Sequence, residues 1–385
     1  MGSRALDRRR IAGGIVTIIL ASAVFLVFPV ARAETGTLAY VANYGDGTVT
    51  VIDTATNAVV GPPISVGRSP FDVAIAPDDT RAYVTNANAH TISVIDTATL
   101  SVVATIGLDP ELGGFLRSIA ITPDGRRAYV TDTSDNDGVW VVDTRTNTFT
   151  QLIRIHAPIA VAVSPNGRHA YVGAREPDRL LTIDAATSTM AGEPTLLGPD
   201  PDSSESLSGV AVSRDGAHAY VTRAGTISVI DTRTSGIVET ISLGGLAIAI
   251  TPDGKRAYVT NQDDGGFLTQ GSVSVIDTLT NTADGNIPVG HDPLGVAITP
   301  DGRRAYVTSS NDGTVSVIDI ASGTVSTTLT VGAQPLGIAI SPRADTKQGG
   351  GNGSDGCSIR PRADMRGLVI LLVCIPRLWW RNPRR

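Results

Sequence analysis

Apolar and polar residues alternate along most of this chain in short runs, and the runs recur. In residues 293 to 319, PLGVAITPDGRRAYVTSSNDGTVSVID, the stretch Leu294 to Thr299 is a β-rich run that stops at Pro300-Asp301-Gly302. Proline there presets φ and glycine accepts a positive φ, so a turn is expected. Arg304 to Thr308 forms a second run, and Asn311-Asp312-Gly313 supplies a hairpin turn. Thr314 to Ile318 then alternates Val and Ile with Ser and Thr at period two, and Thr324 to Val331 follows with the same β-branched bias. The pattern predicts four consecutive strands joined by tight turns.

The same unit occurs seven times. Ala-Tyr-Val is centred on Tyr40, Tyr83, Tyr129, Tyr171, Tyr220, Tyr258 and Tyr306, at spacings of 38 to 49 residues. An aspartate closes every third strand, at Asp53, Asp96, Asp143, Asp184, Asp231, Asp277 and Asp319. The strand ahead of each Ala-Tyr-Val carries an alanine, the first being Ala74 and the last Ala339, which suits a crowded hub. A four-stranded unit repeated every forty-odd residues is the signature of a propeller blade, because one small twisted sheet buries both faces only between two neighbours. The expected fold is all-β, a seven-bladed β-propeller of four-stranded blades. The first run, 38 to 42, lacks a preceding partner and the last, 336 to 341, lacks a following one, so their pairing is expected to close the ring and remove two exposed edges.

Tyr-Val-Thr-Asn at 83 to 86 and 258 to 261, Tyr-Val-Ala-Asn at 40 to 43, and Thr-Val-Ser-Val-Ile-Asp at 314 to 319 resemble the YVTN-type β-propeller repeats of bacterial and archaeal envelope proteins. The resemblance covers about residues 35 to 343 and implies an extracytoplasmic seven-bladed propeller. It implies no single activity.

Composition and charge divide the 385 residues further. The 18% of charged residues and 41 glycines suit an all-β repeat protein, and helix signals are nearly absent. Residues 1–33 hold Arg8-Arg9-Arg10, an apolar run from Ile11 to Val30 and Ala31-Arg32-Ala33, the layout of an export signal cleaved before Glu34; an uncleaved anchor is the competing reading. The propeller is expected over 34–343. A Gly-rich spacer follows over 344–366, then a short apolar run and an Arg-rich end over 367–385, laid out like a C-terminal sorting signal or a weak anchor. Both cysteines, Cys357 and Cys374, fall in this tail, so the propeller carries no disulfide. The two ends take most of the excess basic charge with them and leave 34–343 with 18 basic against 33 acidic residues. Such a body repels nucleic acid and anionic lipid.

The seven copies act as controls for one another. The first-to-second and third-to-fourth turns are nearly uniform, whereas the irregular lengths fall at Gln262 to Gly271, Leu108 to Arg117 and Pro194 to Ser208. In an up-and-down blade these two irregular connection types share one face of the disc, the candidate binding surface. The residues entering the innermost strands on that face are Arg68, Phe71, Arg117, His156, Glu205, His291, Asp292 and Gln334, a mixed polar set at the mouth of the central channel.

No hydrolase elbow, P-loop or haem-attachment motif is present. Five of the seven aspartates precede Thr-x-Thr, and all seven read as turn residues rather than a metal ring. Asp132, Asp135, Asp137 and Gly138 match only part of a calcium loop. No cofactor and no metal site are expected. The sequence therefore points to a non-catalytic, exported, monomeric propeller in the periplasm or at the cell surface, binding an envelope protein or glycan, with the tail available for membrane or surface attachment. The alternative is a propeller enzyme, a lactonase-like hydrolase or redox accessory with its site at the channel mouth.

Overall fold

The computed structural model describes residues 37–108, 114–133, 137–198, 207–262 and 270–341. The expected leader, spacer and tail, together with Glu205 and Asp135, lie outside these residues. Seven antiparallel sheets succeed one another as blades. Blade 1 consists of Pro70–Ile75, Arg81–Asn86, Thr91–Asp96 and Ser101–Gly107, from innermost to outermost, and blades 2 to 6 repeat this order. Among the described residues the only helix is a single 3₁₀ turn, Ala87–Ala89.

Blade 7 closes the ring as the sequence predicts. Its inner strand, Pro335–Ile340, pairs antiparallel with Leu38–Asn43, matching Ala339 to Tyr40 and Ile338 to Val41. The Ser341 amide extends the ladder by donating to the Leu38 carbonyl at 2.8 Å.

The core lies in the seams. Seven clusters of buried side chains each draw on two successive blades. At the seam of blades 6 and 7, for example, Tyr306, Val315 and Val317 pack on Ala39, Val41, Ile52 and Ile338. Each blade thus supplies half of two cores, and none is stable alone.

Polar groups lock the same seams. The Tyr306 hydroxyl donates to the Asn57 side chain at 2.5 Å and lies 3.4 Å from the Thr54 carbonyl in the next blade. Tyr83 reaches Thr144 and Asn147 in the same way, and Tyr220 reaches Thr278 and Asn281. Those asparagines hold φ near 53°, a left-handed conformation that Asn tolerates better than most residues. The threonine of Tyr-Val-Thr is a second lock: Thr85 donates to the Arg117 carbonyl, Thr222 to Leu246 and Thr308 to Leu336, each at 2.7 Å, with Arg117 and Leu336 on the next inner strand and Leu246 just ahead of it. Replacing Tyr306 by Phe leaves Asn57 without its donor across the seam. We expect a loss of about 1–2 kcal/mol, read as a fall of a few degrees in melting temperature with an unchanged circular dichroism spectrum.

The inner-strand alanine has a different cause from the crowding expected of it. In every blade it is the register partner of the tyrosine, from Ala74 opposite Tyr83 to Ala339 opposite Tyr40. Paired side chains share one face of a sheet, so a small partner leaves room for the ring. The crowded hub position lies two residues ahead of that alanine, held by Asp72, Ser118, Ala160, Gly209, Ala247, Gly295 and Gly337. A Cβ on Gly209 would stand 2.6 Å from the Leu246 carbonyl oxygen, and one on Gly337 2.6 Å from the Asp72 Cα.

Candidate functional site

On the face where the inner strands begin, a carboxylate from the end of a second strand or from the turn after it repeatedly clasps the incoming chain. Asp46 accepts the Ala333 amide at 2.6 Å, Asp312 the His291 amide at 2.7 Å, Asp137 the Ala157 amide at 3.1 Å and Asp132 the Phe115 amide at 2.9 Å. Two histidines add to this clasp. His291 Nδ1 lies 2.8 Å from Asp312, while His156 sits between Asp137 at 2.8 Å and Glu176 at 3.4 Å. In blade 7 the clasp forms on an alanine, so the carboxylate is there to hold the chain whether or not an imidazole accompanies it.

The turn geometry explains two more of the expected residues. Ser69, Ala157, Asp292 and Gln334 each precede the proline that opens an inner strand, and each holds φ between 48° and 57°. Gln262 donates its side-chain amide to Asp292, and the Tyr44 amide donates to the Gln334 carbonyl at 2.9 Å. Arg68 is exposed. Across the described residues, then, His156, His291, Asp292 and Gln334 are spread round the rim in separate local contacts.

Phe71 and Arg117, by contrast, come together. Each is the second residue of its inner strand, in blades 1 and 2, and the Arg117 guanidinium carbon lies 5.2 Å from the Phe71 ring centroid. Phe115 completes the group, 5.7 Å from the same guanidinium and 6.1 Å edge-on from Phe71. All three residues are half-buried. Two of the chain's six phenylalanines therefore meet at one cation, and each cation–π contact contributes on the order of 0.5–2 kcal/mol. Sequence reasoning did not select Phe115, because it lies in an irregular connection with no counterpart in the other copies.

Asp72 follows Phe71 and was also not selected. It is the one ionisable residue of the hub ring, and its carboxylate accepts the Val73 amide at 2.8 Å and the blade 2 Ile119 amide at 3.1 Å. Asp72 is half-buried. Burial pushes its pKa up to about 6, and the opposing hydrogen bonds from Ile119, Val73 and Ser118 only partly offset this. The unfolded value is near 3.9, so between about pH 4 and 6 the unfolded chain ionises before the folded one does. Stability from this group is accordingly greatest below pH 4, falls as pH rises to about 6 and is level above. Against Asp72→Asn, the wild type should lose up to about 3 kcal/mol of relative stability over that interval, measured by urea titration at successive pH values. The turn aspartates have the opposite sign: amide donors hold Asp96, Asp143, Asp184, Asp231, Asp277 and Asp319 below the usual carboxylate range. Their contribution is lost on acidification below about pH 4.

The seven strand-end aspartates are turn residues, as their spacing suggests. Asp143, for instance, accepts the amides of Arg145 and Thr146 at 2.8 and 3.1 Å. Among the described residues no three His, Cys, Asp or Glu side chains converge where they could hold a metal ion. Two clefts open on the opposite face. One, of about 510 Å³, runs past Arg214, Asp253, Lys255, Arg256 and Asp301, and the other, of about 240 Å³, past Thr54, Asp301, Arg303 and Arg304. Both are gaps between turns of adjacent blades, and two of their arginines are already committed: Arg214 donates to the Pro252 carbonyl and Arg304 to that of Thr54.

The YNCE-like β-propeller family matches residues 7–345, nearly the whole chain. The chain belongs to this family. Its Tyr-Val-Thr-Asn repeats thus have the meaning their resemblance suggested. Among curated proteins, no relative matches the sequence. Solved structures similar to this YNCE-like propeller include a functionally unknown protein from Desulfotomaculum acetoxidans, with TM-score 0.65 and 19% identity over 80% of this chain and 99% of that one. A putative 6-phosphogluconolactonase from Bacteroides uniformis gives 0.63 and 16% over 80% and 100%. Hydrazine synthase of Kuenenia stuttgartiensis gives 0.62 and 20% over 71% and 90%. At these identities the likeness establishes the fold alone, which hosts unrelated activities.

Proposed function

We propose that this YNCE-like propeller is a non-catalytic, exported binding module that holds an envelope protein or glycan on the face where its inner strands begin. The observation that carries the reading is the contrast between the two faces. The opposite face repeats turns whose aspartates and threonines are spent on holding the turns, as when Asp124 accepts from Thr122 at 2.6 Å and from the Arg126 amide at 3.1 Å. The binding face carries the irregular connections and the Phe71, Phe115 and Arg117 cluster. Aromatic residues beside arginine are the usual anchors of an interface. Export rests on the basic and apolar leader, and surface attachment on the apolar, Arg-rich tail.

The hydrolase alternative would draw on the two histidine–carboxylate pairs. They support it poorly, because the same clasp on Ala333 shows those carboxylates serving the backbone. The test is co-purification from the cell envelope of a strain carrying the tagged protein. A specific protein or glycan should be recovered with the wild type and with Arg303→Gln on the opposite face, and lost with Phe71→Ala. Recovery that is indifferent to Phe71 would overturn the assignment of the face, and hydrolysis of a lactone abolished by His291→Ala would overturn the non-catalytic reading.

A further inference from the structure

The asparagine of Tyr-Val-Thr-Asn has a fixed task. In blade 1 Asn86 stands opposite Thr91 in the register and donates to Thr91 at 3.1 Å and to Ser93 at 2.9 Å. Asn43 in blade 7 does the same to Thr48 at 3.0 Å and Thr50 at 2.8 Å. Blade 4 breaks the pattern: the residue three places after Tyr220 is Arg223, and the matching hydroxyls belong to Thr226 and Ser228. The Arg223 amide donates to the Thr226 carbonyl at 2.8 Å and Ser228 is the register partner of Val221, so the side chains at 223, 226 and 228 share one face of the blade. Val221 lies on that face too, packed with Leu197 and Leu207 in the seam with blade 3.

Three polar atoms at this place are buried without a partner: Arg223 Nε and the hydroxyls of Thr226 and Ser228. Arg223 is only 3% exposed, and its side chain bonds from Nη1 to the Gly198 carbonyl at 3.2 Å. Among the described residues no carboxylate forms an ion pair with it. Arg175, whose Nε donates to the Leu207 carbonyl at 2.8 Å, brings a second guanidinium to the same seam. Loss of the asparagine alone accounts for the hydroxyls, since blade 6 has Ser309 at this place and leaves the Ser309 and Thr314 hydroxyls unpartnered as well. Water can satisfy that neutral pair. A buried guanidinium asks for a counter-charge too, because taking a cation out of water without one is costly. We propose that the seam of blades 3 and 4 holds a small carboxylate ion, a monoanion the size of formate or acetate, with Arg223 as its anchor and Thr226 and Ser228 as further donors. The class of ion follows from the donors. With Nη1 committed to Gly198, the anion meets the edge that carries Nε–H, whose parallel N–H groups fit the two oxygens of a carboxylate. The acidic surroundings, 18 basic against 33 acidic residues over 34–343, disfavour a dianion such as sulfate. Burial beneath the exposed hairpin tip at Ala224 limits the size.

The site is independent of the partner proposed for this face, since it uses neither Phe71 nor export. It is tested by calorimetric titration of the purified protein, dialysed free of carboxylate buffers, with formate and acetate at pH 7 and with chloride and sulfate at matched ionic strength. Formate and acetate should bind at one site about tenfold or more tightly than chloride or sulfate, and should raise the melting temperature saturably. Arg223→Asn restores the residue that blades 1 and 7 carry and gives Thr226 and Ser228 a donor, so it should fold, and it should abolish both effects. Thr226→Val and Ser228→Ala should each weaken formate about tenfold, whereas Phe71→Ala should leave it unchanged. Acetyl-aspartate amide, which carries the same group on a peptide, separates a free ion from a partner's side chain: it should bind more weakly than acetate, and tighter binding would overturn the free-ion reading. No formate binding to the wild type, equal affinity for all four anions, or a titration that is the same in Arg223→Asn overturns the inference.

Discussion

A chain that ends at Gln334 should fail to give a stable propeller. The inner strand of blade 7 would be missing, and Leu38–Asn43, whose six residues are all buried, would become an open edge. Ile338 leaves the seam between blades 6 and 7, where Tyr306, Val315 and Val317 pack. Thr308 loses its acceptor on Leu336 and Gly337 no longer backs Asp72. Burial of one large aliphatic side chain contributes about 1.5–3 kcal/mol and each lost ladder bond about 1 kcal/mol. The sum exceeds roughly 5 kcal/mol, which rivals the whole stability of an ordinary domain. The expected result is insoluble protein, or a melting temperature lowered by more than about 10 °C. A truncated chain that melts like the full one would show that the ring does not need this closure.

The closure was legible in the sequence because the repeats are offset from the chain's start. A second strand stands first and a first strand stands last, so only one pairing satisfies both. The blades were legible for a related reason: seven copies separate constant letters from variable ones without any other sequence. What the repeats could not reveal is contact across a seam. The tyrosine of Ala-Tyr-Val reads locally as a buried apolar signature, and nothing within its own blade shows that its hydroxyl serves the next blade's turn.

The same limit hid the candidate site. Phe115 has no counterpart in the other copies, and its meeting with Phe71 joins residues of different blades. Asp72 could have been found. Aligning the residue two places ahead of the inner-strand alanine in all seven copies gives one acid among alanines, glycines and a serine, and a charge at a position otherwise reserved for small side chains is a signal in itself. His156 and His291 drew attention as chemically versatile residues at equivalent places, whereas the turn carboxylates beside them follow from the path of the backbone.

Gly295→Ala should be the most disruptive single methyl in the molecule's hub. A Cβ there would press into the Leu336 carbonyl of the neighbouring inner strand, with the Thr308 hydroxyl 3.1 Å away and the Ile338 side chain at 3.2 Å. The obstruction is backbone, which cannot swing aside as a side chain can. Moving Leu336 outward would also break its 2.7 Å bond from Thr308, one of the locks that hold blades 6 and 7 together. Overpacking of this kind costs about 1–3 kcal/mol, and the lost lock adds about 1 kcal/mol. We expect a loss of about 2–4 kcal/mol, seen in the denaturant midpoint, with the strand content retained. The reverse exchange at the equivalent position, Ala247→Gly, removes one methyl and should cost only about 1 kcal/mol. If both exchanges cost the same, the hub is not set by the approach of neighbouring backbones, and the glycines at 209, 295 and 337 need another cause.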